Sequence, residues 1–230
     1  MKMKKLATLL LAVLMLLATL AGCAGKKPDI GGSITPPESN VPDNPLSVGR
    51  MEGGTYTNKY IGITCTLNSN WKFYSAEELQ EMPDQVGDVL DGSELGEALK
   101  GRTQIFDMQA ENTTDLTSMN ILYQKLSMAE RISYAAMTES QIIDQVLGQR
   151  DAMEESYAQA GITVVSMEKK AVTFLGEERY AVYTVAKTQG IDYYILQLFS
   201  YDLGEYSATI TVGSFVQDKT ADLLKLFRAA

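Results

Sequence analysis

Between residues 162 and 213 the chain carries four strand-length segments separated by Gly176, Gly190 and Gly204, and no other stretch restricts the fold as tightly. The segments fall at about 162–175, 178–187, 191–201 and 205–213, and a glycine at each connection suits hairpin turns, so an antiparallel meander is expected. The faces of these strands differ. Tyr206, Ala208, Ile210 and Val212 alternate with Ser207, Thr209 and Thr211, which gives the last strand one polar face. Tyr180 to Val185 and Tyr193 to Phe199 are apolar on both sides, the pattern of strands that sit centrally in a sheet with cover above and below.

A helix precedes the meander. Thr138-Glu139-Ser140-Gln141 is a capping box, in which Thr138 takes the Gln141 N–H and Gln141 reaches back. Ile142, Ile143, Val146, Leu147, Met153, Tyr157 and Ala160 then recur at helical spacing, and Gly161 supplies the stop. Further upstream, strands are expected at Thr55–Asn58, Tyr60–Leu67, Trp71–Tyr74, Gln104–Ala110 and Ser118–Leu126. Short helices are expected at Ala76–Met82, Gln85–Leu90 and Glu94–Leu99, punctuated by Pro83 and Gly92. The chain closes with a helix capped by Asp218, which turns Leu223, Leu224, Leu226 and Phe227 inward. The resulting fold class is α+β: an antiparallel β-sheet with a C-terminal four-strand meander, covered by helices on both faces. Residues 54–230, about 177 in all, read as a single globular domain, enough to bury roughly 70% of the unfolded surface.

The opening of that domain, Tyr56-x-Asn58-x-x-Ile61-Gly62-Ile63 followed by Leu67 and Trp71, resembles the PsbP-like superfamily, as does the order of elements across most of the domain. That superfamily includes an extrinsic subunit of photosystem II and small bacterial lipoproteins with the same opening. The resemblance implies an α/β/α sandwich and an accessory role in a membrane-associated assembly. One departure stands out: bacterial members often place a proline between the first long strand and the tryptophan, where this chain has Asn68-Ser69-Asn70.

The N-terminus states where such a domain would work. Met1-Lys2-Met3-Lys4-Lys5 is a basic start, and Leu6 to Leu20 is an apolar run of 15 residues, short of the roughly 20 that a spanning helix needs. Leu20-Ala21-Gly22-Cys23 then resembles the lipobox of bacterial lipoproteins, which implies cleavage before Cys23 and a diacylated glyceride on its thiol. More than one acyl chain is what durable anchoring requires. A plain secretory signal fits less well, because Ala18-Thr19-Leu20 is a poor Ala-x-Ala site. Residues 1–22 are therefore read as a lipoprotein signal peptide and 23–53 as the lipidated cysteine with its tether. Residues 24–53 hold five of the six prolines, mixed with Gly, Ser, Asn and Asp, a composition that buries too little apolar surface to offset its chain entropy. As a coil this tether would span roughly 30 Å, and as extended polyproline up to about 90 Å.

Removing Lys2, Lys4 and Lys5 with the signal takes the formal net charge from −9 to −12. So acidic a chain, without a basic stripe, disfavours nucleic acid as a partner, and only Lys26 and Lys27 beside the anchor favour anionic headgroups. The expected location is the extracytoplasmic face of a cell membrane, held there by the lipid on Cys23.

Chemistry is harder to find. The chain has no histidine, which removes Ser-His-Asp triads, Cys-His pairs and His-based metal sites. GxGxxG, P-loop, GxSxG and CxxC motifs are absent as well. No catalytic, metal-binding or cofactor-binding residue is assigned, and no cofactor is expected. Cys65 falls on the apolar phase of Ile61-Gly62-Ile63-Thr64-Cys65-Thr66-Leu67, the buried side of a strand, with no neighbour to activate its thiol. Asp84, Asp88 and Asp91 share one helix face, with Glu94 and Glu97 beyond. They lack the spacing of a calcium loop and read as a solvated face, as do the scattered Asp107, Glu111 and Asp115. Tyr180, Tyr183, Tyr193, Tyr194, Tyr201 and Tyr206 are read as core with hydroxyls at the rim, against the rival of a stacking platform for a sugar, peptide or small ligand. Trp71 is read as a packing anchor, and Asn112-Thr113-Thr114 as a sequon without consequence.

The expected function is a lipid-anchored, non-enzymatic binding or accessory module for an envelope protein or a small ligand. The alternatives are an envelope hydrolase using carboxylates of the 84–97 region or of loops, and the substrate-binding component of a transporter. The last is disfavoured by the short domain and the lack of alternating βα units.

Overall fold

The computed structural model describes residues 49–75, 78 and 104–230. Cys23, the tether up to residue 48, nearly all of the three short helices expected between 76 and 99, and Asp84, Asp88, Asp91, Glu94 and Glu97 lie outside the described residues.

Among the described residues, two antiparallel sheets and four full helices give the α+β class expected. The smaller sheet is formed by β1 (Arg50–Glu52), β2 (Thr55–Asn58), β3 (Ile63–Thr66) and β11 (Phe227–Ala229), in that order. The larger comprises β4 (Lys72–Phe73), β5 (Gln104–Asn112), β6 (Thr117–Lys125), β7 (Ile162–Phe174), β8 (Glu177–Thr188), β9 (Ile191–Leu203) and β10 (Tyr206–Phe215). Its order is β4-β5-β6-β10-β9-β8-β7. The helices are α1 (Met128–Ala135), α2 (Glu139–Leu147), α3 (Arg150–Gln159) and α4 (Thr220–Leu224).

The meander forms as the glycines foretell. Leu175-Gly176 and Gln189-Gly190 occupy two-residue turns in which both φ angles are positive (53° and 87°, 51° and 79°), the twist that matches adjoining strands. The turn holds Leu175 and Gln189 in a left-handed conformation that costs them sterically, while the glycine that follows each adopts it freely. As expected, β9 lies inside the sheet, and β8 is one strand from its edge.

The larger sheet is covered on both faces. On one, the small sheet and α4 enclose a core that includes Tyr56, Cys65, Met119, Ile121, Leu196, Ile210, Leu223 and Phe227. On the other, Ile143 of α2 and Met153 and Tyr157 of α3 pack on Val182, Ala186, Tyr193, Ile195 and Phe215. Helices α2 and α3 lie over β7 and β8, and α1 lies over β9.

Four elements differ from expectation. The helix expected to run to residue 160 is two helices, broken around Gly148 and Gln149, whose φ and ψ of −99° and 18° leave the helical range. Glycine is the weakest ordinary helix former, and the apolar pattern skips it. Helix α1 was not foreseen, although Ser127-Met128-Ala129-Glu130 forms a complete capping box. The terminal helix stops at Leu224, and Phe227–Ala229 pair with β3, Phe227 opposite Cys65. Phe227 is buried as expected, but it arrives on a strand, because the free edge of β3 supplies backbone partners that a longer helix would leave unmet. Asp218 accepts the Thr220 N–H (2.9 Å) and hydroxyl (2.6 Å) from one position before the N-cap, Lys219. Finally, β1 begins at Arg50, inside the stretch read as tether, because Arg50, Met51 and Glu52 pair with Thr57, Tyr56 and Thr55.

Candidate functional site

Register places four uncharged polar side chains in one line across the larger sheet. Gln109 of β5 stands opposite Asn120 of β6, Asn120 opposite Thr211 of β10, and Thr211 opposite Gln197 of β9. Directly opposed residues share a face, and this face is the one that carries Ile195 and Tyr193 toward α2 and α3. The row crosses three strand intervals, so it is roughly 14 Å long with a polar group about every 4.8 Å. None of the four is more than 3% exposed. The polar face of β10 seen in the sequence is therefore part of the interior.

Beside this row runs a line of hydroxyls. Ser118 and Gly213 face each other one step along β6 and β10, and Thr184 lies opposite Ile195. The Tyr193 ring lies over Gly213 and stacks on Phe215, centroids 4.2 Å apart. Its hydroxyl faces Ser118 Oγ, and the Tyr157 hydroxyl from α3 faces Thr184 Oγ1. In both pairs the Ser or Thr hydroxyl stands close enough to act on the phenol as a hydrogen-bond partner does, which lowers its pKa against the larger effect of burial. Burial pushes both phenols up, so they stay protonated at any physiological pH.

Eight buried side-chain polar atoms lack a hydrogen-bond partner among the described residues, and six of them belong to this layer: Gln109 Nε2, Gln197 Oε1, Ser118 Oγ, Thr184 Oγ1, Tyr157 Oη and Tyr193 Oη. A native interior leaves few such groups, because each costs about 1–3 kcal/mol. Four of the six face one another in the Tyr193–Ser118 and Tyr157–Thr184 pairs, which leaves Gln109 Nε2 and Gln197 Oε1, at the two ends of the row, with unmet hydrogen-bonding capacity. The layer carries amides and hydroxyls but no thiol. Glu111, opposite Ser118 at its margin, accepts the Tyr74 hydroxyl.

A second polar cluster joins the two sheets. The register of β5 against β6 shifts between Phe106 and Met108, which leaves Asp107 as the extra residue of a bulge. Its carboxylate meets the smaller sheet, where Tyr56 Oη donates to Oδ2 (2.5 Å), Asn58 Nδ2 donates to Oδ2 (2.5 Å) and the Gly49 amide donates to Oδ1 (2.6 Å). Asn58 also donates to Tyr123 Oη (2.7 Å) and accepts the N–H groups of Tyr60 and Ile61 (2.8 and 3.1 Å). Burial raises Asp107 from 3.8 to about 6, against the lowering effect of these donors. The residue is half-buried as a whole, but its carboxylate is enclosed by these groups. With its acceptor positions filled by fixed donors, it is a structural junction. Tyr56 and Asn58, two residues of the opening motif, are what hold it.

The remaining candidates are placed as follows. Cys65 is fully buried beside Met119, and burial pushes its thiol up to about 12, as its strand phase foretells. Trp71 packs half-buried against the core between the sheets. Tyr183, Tyr193 and Tyr206 are core, but the Tyr193 hydroxyl points inward instead of to the rim. Asn112 is buried, and its side chain accepts the amides of Thr114 and Asp115 (both 3.0 Å) to close the β5–β6 turn. Asp115 pairs with Lys219 at 3.2 Å. Cys23 lies outside the described residues. Among the described residues no helix is long and apolar enough to cross a membrane, and no group of three His, Cys, Asp or Glu residues is placed to hold a metal ion.

No family model matches the chain, and no curated protein matches its sequence. Among solved structures the chain is similar to the solution structure of cyanobacterial PsbP (CyanoP) from Synechocystis sp. PCC 6803. The two are 8% identical with a TM-score of 0.36, and the match covers 84% of this chain and 99% of that one. At that score the likeness is loose, and the functional reading rests instead on the polar layer.

Proposed function

We propose that this chain is a membrane-anchored extracytoplasmic lipoprotein that acts as a non-enzymatic binding or accessory module for a protein partner or a small ligand. The observation that carries the binding half is the buried polar layer, in which the Gln109 and Gln197 amides keep unmet hydrogen-bonding capacity on one face of the larger sheet. The anchoring half is supported by the basic start, the short apolar run and Leu20-Ala21-Gly22-Cys23. Together they describe a domain presented at a membrane surface by its lipid, with a tether long enough to let it stand away from the bilayer.

Two measurements test this. Cys23→Ser is expected to release the protein from membranes or to leave its signal uncleaved; unchanged processing and retention overturn the anchor. In-cell crosslinking of the anchored protein is expected to capture a specific envelope protein or ligand. Recovery of nothing above background overturns the accessory role.

A further inference from the structure

We infer that Met128 is a site of methionine oxidation and that Arg131, one turn further along α1, is the built-in receptor for the sulfoxide oxygen. The inference goes beyond the binding-module reading and does not depend on it. Met128 opens α1 with 57% of its surface exposed, the most of any methionine among the described residues. Met51 follows at 41%, whereas Met108, Met119, Met153 and Met167 are buried. Arg131 Nη2 donates to the Met128 sulfur at 3.3 Å. Among the described residues this guanidinium enters no ion pair, and its Nε is buried without a partner. The adjoining Glu130 does not serve it, because that carboxylate turns back to accept the Ser127 amide at 2.7 Å in the capping box. A cation with five N–H donors is thus left facing a thioether, which is a weak acceptor.

Oxidation changes the acceptor and leaves the donor in place. Hydrogen peroxide transfers one oxygen to the thioether: the O–O bond breaks, an S–O bond forms, sulfur gives up two electrons and the peroxide leaves as water. The product offers a polar oxygen where there was only sulfur. Rotation about the Cγ–Sδ bond of this exposed side chain brings that oxygen to the guanidinium, and a hydrogen bond from an ionised donor is about twice as strong as a neutral one. In a core, a sulfoxide disrupts packing. Met128 lies in the open, so no packing is lost against the gain. The new bond joins residues 128 and 131 across the first turn of α1, the helix whose Tyr134 packs on Tyr201 of β9 with ring centroids 4.3 Å apart. The oxidation state of one sulfur therefore sets how firmly the start of α1 is held.

The test treats the mature protein with hydrogen peroxide under native conditions, with Met128→Leu and Arg131→Leu in parallel. Peptide mass spectrometry locates the added oxygen, and hydrogen exchange follows the α1 amides before and after. Met128 is expected to be converted to the sulfoxide while Met108, Met119, Met153 and Met167 resist. The α1 amides of the oxidised wild type should exchange several-fold more slowly than those of the reduced protein. Methionine sulfoxide reductase, with dithiothreitol as the reductant, should restore the original rate. Neither variant should show the slowing: Met128→Leu lacks the sulfur, and Arg131→Leu keeps an apolar stem but lacks the donor. Because Met128→Leu leaves every other methionine in place, it assigns the effect to this one sulfur. The inference is overturned if Met128 stays unmodified where Met51 is oxidised, if oxidation leaves α1 exchange unchanged or faster, or if either variant shows an equal slowing. None of these outcomes bears on the Cys23→Ser and crosslinking results.

Discussion

The ring of Tyr193 rests on Gly213: a Cβ built at position 213 would come within 2.7 Å of the Tyr193 hydroxyl and 3.1 Å of its Cε2. The missing side chain on β10 is what lets a fully buried tyrosine of β9 lie flat across the sheet and turn its hydroxyl toward Ser118 of β6. Gly213→Ala is therefore expected to destabilise the domain by about 1–3 kcal/mol, the usual cost of overpacking. The ring cannot retreat, because it is stacked on Phe215 and fully buried. Urea unfolding measures the loss, and an unchanged midpoint would show that the ring has another place to go.

Asp107 makes stability depend on pH in an unusual direction. Its folded-state pKa is raised from 3.8 to about 6, so the folded protein holds a proton that the unfolded chain has already lost between those values. This contribution is fully present below about pH 4 and declines as pH rises through 6, by on the order of 3 kcal/mol. Asp107→Asn cannot titrate. The difference in unfolding free energy between wild type and Asp107→Asn, measured from pH 4 to pH 7, should move steadily against the wild type. A difference independent of pH would contradict the raised pKa.

The Cys65 thiol should be inert while the domain is folded. It is fully buried, donates to Met119 Sδ at 3.8 Å, and has its pKa pushed up to about 12 by burial, which outweighs the lowering effect of Arg228. Iodoacetamide is expected to label it only at the rate of unfolding, and completely in denaturant. Rapid labelling under native conditions would show that the strands around it open locally.

Helix α2 is fixed at its start by two devices. Thr138 and Gln141 form a reciprocal capping box, and Glu139 accepts from Arg179 (2.5 Å) and from the Tyr180 amide (3.1 Å). Thr138→Ala should cost about 1 kcal/mol. Glu139→Gln should cost a comparable amount, because it weakens a pair in which both side chains are about one-quarter exposed. Hydrogen exchange of the α2 amides would register both changes before global unfolding does.

What could be read from the sequence follows from how local the signal is. The hairpins were legible because Gly176 and Gly190 permit turns that few other residues allow. Cys65 was legible because strand period alone fixes its face. The split between α2 and α3 hung on a single glycine within an otherwise continuous apolar pattern. The C-terminal strand depends on an edge of β3 that sequence does not display. The polar layer was the least accessible of all. Gln109, Asn120, Gln197 and Thr211 lie on four strands drawn from two separate hairpins of the chain, and only register shows that they stand in line. The same holds for Asp107, which reads as one more scattered acid until a bulge turns it toward Tyr56 and Asn58.

The small sheet receives both the first and the last described segments: β1 pairs along β2, β11 pairs along β3, and the Ala230 amide closes on the Gly62 carbonyl at 2.9 Å. In mechanical terms, tension on the chain ahead of Gly49 reaches first the bond from the Gly49 amide to Asp107 and then the open end of the β1–β2 hairpin, where Arg50 faces Thr57. A hairpin loaded from its open end yields one bond at a time, so the load is released there before it reaches the larger sheet. Strand β1 is thus a fuse, and the layer of amides behind it is kept out of the path of the force.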